Sequence, residues 1–143
     1  MKKTIFLGCM GLLFGLMALV SYAAMTKESL SPNNASDLKG KWEGWRTGPV
    51  GGSKNLRTEL EIYNDTLPLK GKLTAHDVKR KGVLSGTETN DFNQGTINND
   101  GNFYLKWGQN YLELSLYKGD GKMKLEGDCY FTGAKGTITL HKK

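Results

Sequence analysis

The side chains that could carry out chemistry are few in this sequence and widely separated. Its 143 residues include two histidines, His76 and His141, and two cysteines, Cys9 and Cys129. The sequence has no nucleophile elbow of a serine hydrolase and no group of Cys, His, Asp and Glu with metal-ligand spacing. Most carboxylates fall in turns or on polar strand faces. We therefore expect a non-enzymatic protein with no catalytic residues, no metal and no cofactor.

The densest basic run is His76-Asp77-Val78-Lys79-Arg80-Lys81. We expect this run at a hairpin tip, where the planar guanidinium of Arg80 could bind a phosphate group or an anionic glycan. A solvated loop is the alternative interpretation. The glycine-rich segment 47–54 lacks the Gly-Lys-Ser ending of a phosphate-binding loop. It is either a lid over one end of the fold or a plain connection.

Aromatic residues supply the remaining candidates for a binding site. Trp107 and Phe103 belong to an apolar row, where they could contact a small apolar ligand. Tyr104, Tyr111 and Tyr130 fall on the opposite, polar face. Tyrosines among charges are typical of protein interfaces and sugar-binding surfaces, and also of ordinary exposed strands.

Trp45 is a further candidate because of its distance from Trp42. Two residues that lie three apart in a regular strand point to opposite faces. If Trp42 closes the core, Trp45 lies outside or at a rim, where an indole ring is costly unless it contacts something.

The first 23 residues have the pattern of an export signal. Lys2 and Lys3 precede an uncharged apolar stretch, residues 5–20, and Ser21-Tyr22-Ala23 fits a cleavage site after Ala23. Two alternatives stay open: an uncleaved membrane anchor, or a lipid-modified Cys9. We expect a periplasmic or secreted protein, with inner-membrane anchoring as the alternative.

Cleavage would leave a modestly basic chain with a single cysteine. It removes Lys2 and Lys3, so 18 basic and 14 acidic residues remain and the net charge is +4. This charge is spread along the chain, which favours a solubilising surface over a polyanion site. We expect no nucleic-acid partner, and no membrane contact after cleavage. Cys129 falls on an apolar strand face, where we expect a buried, unreactive thiol.

The elements that must position these residues are strands and turns. Residues 24–37 are polar, and we expect a flexible arm with one helical turn. From Leu38 to the end, apolar and polar residues alternate and glycine recurs, as in Leu56–Tyr63. We expect an all-β domain over residues 38–143. It would be an antiparallel up-and-down meander of eight or nine strands closed into a small barrel, with a two-sheet sandwich as the alternative.

Turn residues predict how neighbouring strands pair. Asn98-Asn99-Asp100-Gly101 suits a type I turn with a left-handed Gly101, and Asp120-Gly121 suits a two-residue turn. Keeping both apolar rows on one side gives five expected pairs: Ile97 with Phe103, Trp107 with Leu112, Leu116 with Leu125, Tyr111 with Tyr130, and Phe131 with Ile138. The inward rows are mostly large, so a filled interior is expected, with space possible at Gly71 and Gly127.

The segment Leu38-Lys39-Gly40-Lys41-Trp42 resembles the opening motif of lipocalins and of avidin-type barrels. The resemblance implies that Trp42 closes one end of a barrel. In lipocalins a basic residue on a late strand packs over this tryptophan, and Lys142 or His141 matches it loosely. The residues with which avidins contact biotin have no counterparts here, so fold analogy gives no ligand.

These observations indicate an exported, non-enzymatic binding protein built on a small barrel. Its ligand would be a small apolar molecule or a glycan. The alternative is a protein–protein interaction module, such as an exported inhibitor or an envelope assembly subunit.

Overall fold

The computed structural model describes residues 24–48, 55–80, 83–131 and 133–143. The predicted export signal and most of the glycine-rich segment lie outside these residues. One 3₁₀ helix, Pro32–Leu38, precedes most of the strands. The strands are β1 (Thr26–Glu28), β2 (Gly40–Thr47), β3 (Asn55–Ile62), β4 (Leu69–Arg80), β5 (Val83–Ile97), β6 (Phe103–Trp107), β7 (Asn110–Gly119), β8 (Lys122–Phe131) and β9 (Ala134–Lys142).

Strands β2 to β9 form a closed antiparallel barrel. Each pairs with the next along the chain, and β9 returns to pair with β2. Closure confirms the predicted up-and-down barrel and pairs most of the strand edges that a sandwich would leave open. The short β1 is additional: it pairs with β7 at residues 116–118, beyond the positions that β6 occupies.

The alternation of residue types places the core inside the barrel. Along β3, Leu56, Thr58, Leu60 and Ile62 are buried, whereas the residues between them face outwards. The two faces of a strand differ in this way when only one is packed. The cluster of buried residues contains Leu30, Leu38, Trp42, Leu60, Ile62, Leu69, Leu73, Phe103, Leu105, Leu112, Leu114, Leu116, Leu125, Cys129, Phe131, Ile138 and Leu140.

The 3₁₀ helix closes one end of the barrel over Trp42. The indole Nε1 of Trp42 donates a hydrogen bond to the carbonyl oxygen of Leu38 at 2.8 Å. Lys142 packs over the indole ring, with its Nζ 5.3 Å from the ring centroid, and donates to the carbonyl oxygen of Asp37 at 2.6 Å. The Asp37 carboxylate pairs with Lys118 at 2.7 Å. Of the two basic residues considered for this place, Lys142 occupies it, and His141 is exposed.

Residues 24–37, predicted to be a flexible arm, pack against the barrel instead. Strand β1 pairs with β7, and the backbone amide of Leu30 donates to the carbonyl of Gly101 at 2.9 Å. Ala35 and Leu38 of the 3₁₀ helix have no exposed surface. The few apolar side chains of this segment and of Leu38 are therefore buried and hold it against the barrel. The mostly polar composition of the segment gave no indication of this packing.

Three of the five expected strand pairs are present. Ile97 pairs with Phe103, Leu116 with Leu125, and Tyr111 with Tyr130. The expected turns at Asn98–Gly101 and Asp120-Gly121 both form. Gly101, Asp120 and Gly121 adopt positive φ values of 69°, 52° and 68°.

The other two expected pairs are wrong, because the actual turns are shorter. Trp107 pairs with Asn110 rather than Leu112, across a two-residue turn whose Gly108 has a φ of 59°. Phe131 pairs with Ala134 rather than Ile138. Each difference is an even number of residues, so the apolar side chains keep their inward face.

Candidate functional site

The barrel has a lateral opening between β5 and β6. These strands pair at only two positions, Thr96 with Tyr104 and Ile97 with Phe103. Further along, β5 stays paired with β4, and β6 with β7. Between the diverging strands lies a groove of about 360 Å³. It is lined by Leu73, Asn90, Asp91, Phe92, Asn93, Gln94, Leu105, Lys106, Trp107 and Gly108.

A β-bulge in β5 accounts for the divergence. Leu69 pairs with Gly95 and Gly71 with Phe92, so β5 has one residue more than β4 over this stretch. An extra residue bends the strand that carries it. The bulge also directs the Phe92 ring inwards, where its centroid lies 6.3 Å from that of Phe103.

The two glycines at which space was expected do not provide it. A Cβ atom at Gly71 would lie 2.8 Å from Cζ of Phe92 and 2.0 Å from the carbonyl oxygen of Glu61. At Gly127 it would lie 2.0 Å from the carbonyl oxygen of Glu113. Both glycines permit close approach of a neighbouring strand, and the open space lies at the edges of β5 and β6 instead.

Trp107 connects the groove to the interior at the open end of the barrel. Its half-buried indole lines the groove, and its ring centroid lies 5.3 Å from that of Phe131 at an angle of 55°. The guanidinium carbon of Arg46 in turn lies 4.2 Å from the Phe131 centroid. Groove, indole, phenyl ring and guanidinium therefore form one continuous sequence of contacts.

Arg46 is an inward-facing cation with only 6% of its surface exposed. Its Nε is buried and finds no hydrogen-bond partner within the described part of the chain. Burial lowers the pKa of Arg46, while the nearby Cys129 and Glu88 act in the opposite direction. The Cys129 thiol is buried too, as expected, and this burial raises its pKa to about 11.

Polarity changes along the barrel axis. Around Trp42 the interior is apolar, whereas the inward positions towards the open end include Arg46, Thr58, Glu88 and Asn90. Thr58 is buried and satisfied by the carbonyl oxygen of Leu56 at 3.1 Å. Asn90 shares a face with Leu73, yet is exposed because it borders the groove. The open end can thus present polar groups to a bound molecule.

The candidate residues from the sequence fall into separate regions. Trp107 lines the groove, whereas Phe103 is wholly buried behind it against Phe92. Trp45 lies on the outer wall with 56% of its surface exposed, opposite in direction to the buried Trp42. The side chain of Arg80 lies outside the described part of the structure.

The three tyrosines come together on the outer face of β6, β7 and β8. The Tyr111 ring stacks on Tyr130 with centroids 5.9 Å apart and planes within 6°, and on Tyr104 at 6.5 Å and 26°. Lys135, which is paired with Asp128, lies beside Tyr130 across β8 and β9. Together Tyr104, Tyr111 and Tyr130 form a ladder of aromatic rings, the tyrosine stack, which is separate from the groove.

A second polar cluster lies on the outer wall around His76. Its Nε2 lies 2.8 Å from Oε1 of Glu59, and its Nδ1 lies 3.4 Å from Oγ1 of Thr87. This order resembles a nucleophile, a base and a carboxylate, but Arg57 already binds the same Glu59 oxygen. Thr87 is exposed to water on a strand face, so the cluster lacks the water-excluding surroundings in which such a relay works.

Sequence reasoning missed Arg46, Asn90, Phe92 and Gln94. One usable signal was the spacing from Trp42. Residues an even number of positions apart in a strand point to the same face, and Arg46 lies four residues after the inward Trp42. In β5 the signal was weak, because polar residues occupy both of its faces.

The described residues contain no cluster of His, Cys, Asp and Glu suited to a metal ion. Within the same ranges no helix is long and apolar enough to cross a membrane. Comparison with protein-family models, with curated proteins and with solved structures found no match for this chain.

Proposed function

We propose that this chain is an exported, non-enzymatic binding protein that takes up a small apolar molecule at the open end of its barrel. The observation that carries the proposal is the groove between β5 and β6, which leads onto the indole of Trp107. Concave sites that combine apolar and polar groups are the usual places where proteins bind small molecules. The apolar residues of this groove are Leu73, Phe92, Leu105 and Trp107, and its polar residues are Asn90, Asp91, Asn93, Gln94 and Lys106. The groove volume, about 360 Å³, suits a small ligand.

We also infer a relation to the lipocalin and avidin type of barrel. The contact of Lys142 with Trp42, above the carbonyl groups of the 3₁₀ helix, supports this relation. The resemblance implies that Trp42 closes one end of the barrel, which leaves the other end for a ligand. The relation therefore agrees with a site at the end of the barrel that is remote from Trp42.

Fluorescence titration with a neutral apolar probe tests the proposed site. N-phenyl-1-naphthylamine should bind the mature protein with a rise in probe emission. Trp107→Ala should weaken binding about tenfold or more, because it removes most of the aromatic contact surface. Trp45→Ala, which removes an indole from the outer wall, is the matched control and should leave binding unchanged. Equal effects of the two substitutions, or no binding at all, would contradict the site.

A second candidate function is recognition of a protein partner by the tyrosine stack. Stacked rings next to charged residues offer a large, rigid contact surface at low entropic cost. If this function holds, Tyr111→Ala should abolish capture of a partner from the envelope fraction without altering the melting temperature. If both Tyr111→Ala and Trp45→Ala still capture the partner, neither outer aromatic surface is its binding site.

A further inference from the structure

We propose that Arg46 binds the carboxylate of the ligand, so that the ligand is a small monocarboxylic acid with an apolar body. This inference rests on the proposed function, because it names the chemical class that the open end of the barrel accepts. Three features of the structure support it: the burial of Arg46, the identity of its neighbours, and the aromatic path that joins it to the groove.

The first feature is the unsatisfied Nε atom of the Arg46 guanidinium. A buried charge without hydrogen-bond partners is strongly unfavourable, and buried ionic groups in proteins are almost always paired. Only 6% of the Arg46 surface is exposed, and its Nε has no partner among the described residues. A carboxylate can accept two parallel hydrogen bonds from a guanidinium, which would satisfy Nε together with a terminal nitrogen.

The second feature is the set of groups around the guanidinium. Its contact partner is the face of Phe131, and a ring face offers no lone pair to Nε. Cys129 is held as a neutral thiol, since burial raises its pKa to about 11. Glu88 acts on Arg46 electrostatically and favours its charged form, but the Nε atom still has no hydrogen-bond partner among the described residues. Arg46 therefore retains hydrogen-bonding capacity for an anion from outside the chain.

The third feature is the apolar path. Leu73, Leu105 and Trp107 line the groove, and Trp107 contacts the Phe131 ring that Arg46 covers. A molecule whose body contacts the apolar residues of this groove can direct a charged head past Trp107 and Phe131 towards Arg46, which lies beyond the groove lining. One buried cation balances one negative charge, so a monocarboxylate fits better than a phosphate dianion, whose second charge would stay uncompensated.

Calorimetric titration with octanoate and with octanol tests this inference. The two probes share the same chain and differ in the charged head. The mature protein should bind octanoate at least tenfold more tightly than octanol, which is the scale of one charge-assisted hydrogen bond. Arg46→Met should abolish this preference and leave octanol binding nearly unchanged. Arg57→Met, which removes a half-exposed outer arginine, is the matched control and should preserve the preference.

The outcomes separate this inference from the function on which it rests. Octanol bound as tightly as octanoate by the unaltered protein would overturn the role of Arg46, while the binding site would stand. An equal loss of octanoate affinity in Arg57→Met and Arg46→Met would overturn it as well. If octanoate, octanol and the neutral naphthylamine all fail to bind, the proposed function itself falls. Arg46→Lys, which keeps the charge, serves if Arg46→Met does not fold, and should retain part of the preference.

Discussion

At the residue scale, Arg46 is the position where stability and binding oppose each other. Desolvation of its guanidinium destabilises the fold, and the contact with Phe131 offsets only part of this cost. We predict that Arg46→Met raises the free energy of unfolding by about 1 kcal/mol, since an apolar side chain of similar length would replace an unsatisfied charge. The melting temperature should rise by about 3 °C or more, measured by circular dichroism without ligand.

The control for this prediction is Arg57→Met. Arg57 lies on the outer wall of β3 and pairs there with Glu43 and Glu59. Exposed ion pairs contribute little, so its removal should change the melting temperature only slightly. A loss of more than about 1 kcal/mol in Arg46→Met would show that Arg46 is a structural residue, held by contacts that outweigh its desolvation.

Single residues also show what the sequence can and cannot predict. The opposite directions of Trp42 and Trp45 followed from strand geometry alone and are confirmed. The inward direction of Arg46 follows from the same rule. What the sequence could not predict is that its neighbours would leave Nε unsatisfied, because this depends on packing across the barrel between β2 and β8.

At the element scale, an ion network ties the outer faces of β2, β3 and β9 together. Glu43 accepts hydrogen bonds from Lys143 and from Arg57, and these lower its pKa to about 2. A carboxyl group whose pKa is lower in the folded than in the unfolded state stabilises the fold above its unfolded pKa. Its contribution is lost as the pH falls from about 4.5 towards 2.

We therefore predict that Glu43→Gln flattens the acid limb of the stability curve. Between pH 4.5 and 2 the melting temperature of the unaltered protein should fall more steeply than that of the variant, because only the former takes up a proton at this site on unfolding. Asp100→Asn is the control, since Asp100 is an exposed turn residue outside this network. Parallel curves for Glu43→Gln and the unaltered protein would contradict the assigned pKa.

Pairing between elements was predictable wherever the turn residues fix the turn length. Asn98 to Gly101 and Asp120-Gly121 each favour one geometry, and the pairs beside them were predicted correctly. Around Gly108 and Gly133 several turn lengths keep the apolar faces aligned. The sequence then leaves an ambiguity of two residues in the partner of Trp107 and of four in the partner of Phe131, and the shorter turn forms in both cases.

At the scale of the whole molecule, the barrel was predictable because most of its strands carry a clear apolar row. Strand β5 does not: residues 83–97 form one strand with polar residues on both faces. The absence of an apolar row in β5 and its position beside the groove are connected. A strand that borders an opening has no dry face along that part, so its inward positions Glu88 and Asn90 need not be apolar.

This asymmetry leads to a prediction for hydrogen exchange of the intact barrel. Residues 90–94 and 105–108 border the groove, whereas residues 111–118 of β7 have strand neighbours on both sides for nearly their whole length. Peptides from the groove should exchange faster than those from β7, because their unpaired edge lowers the local opening free energy.

Octanoate should slow exchange of the groove peptides and leave peptides from residues 26–38, at the closed end, unchanged. Protection spread evenly over all peptides would instead indicate global stabilisation by mass action. Protection confined to β6, β7 and β8 at the tyrosine stack would move the binding site to the outer face.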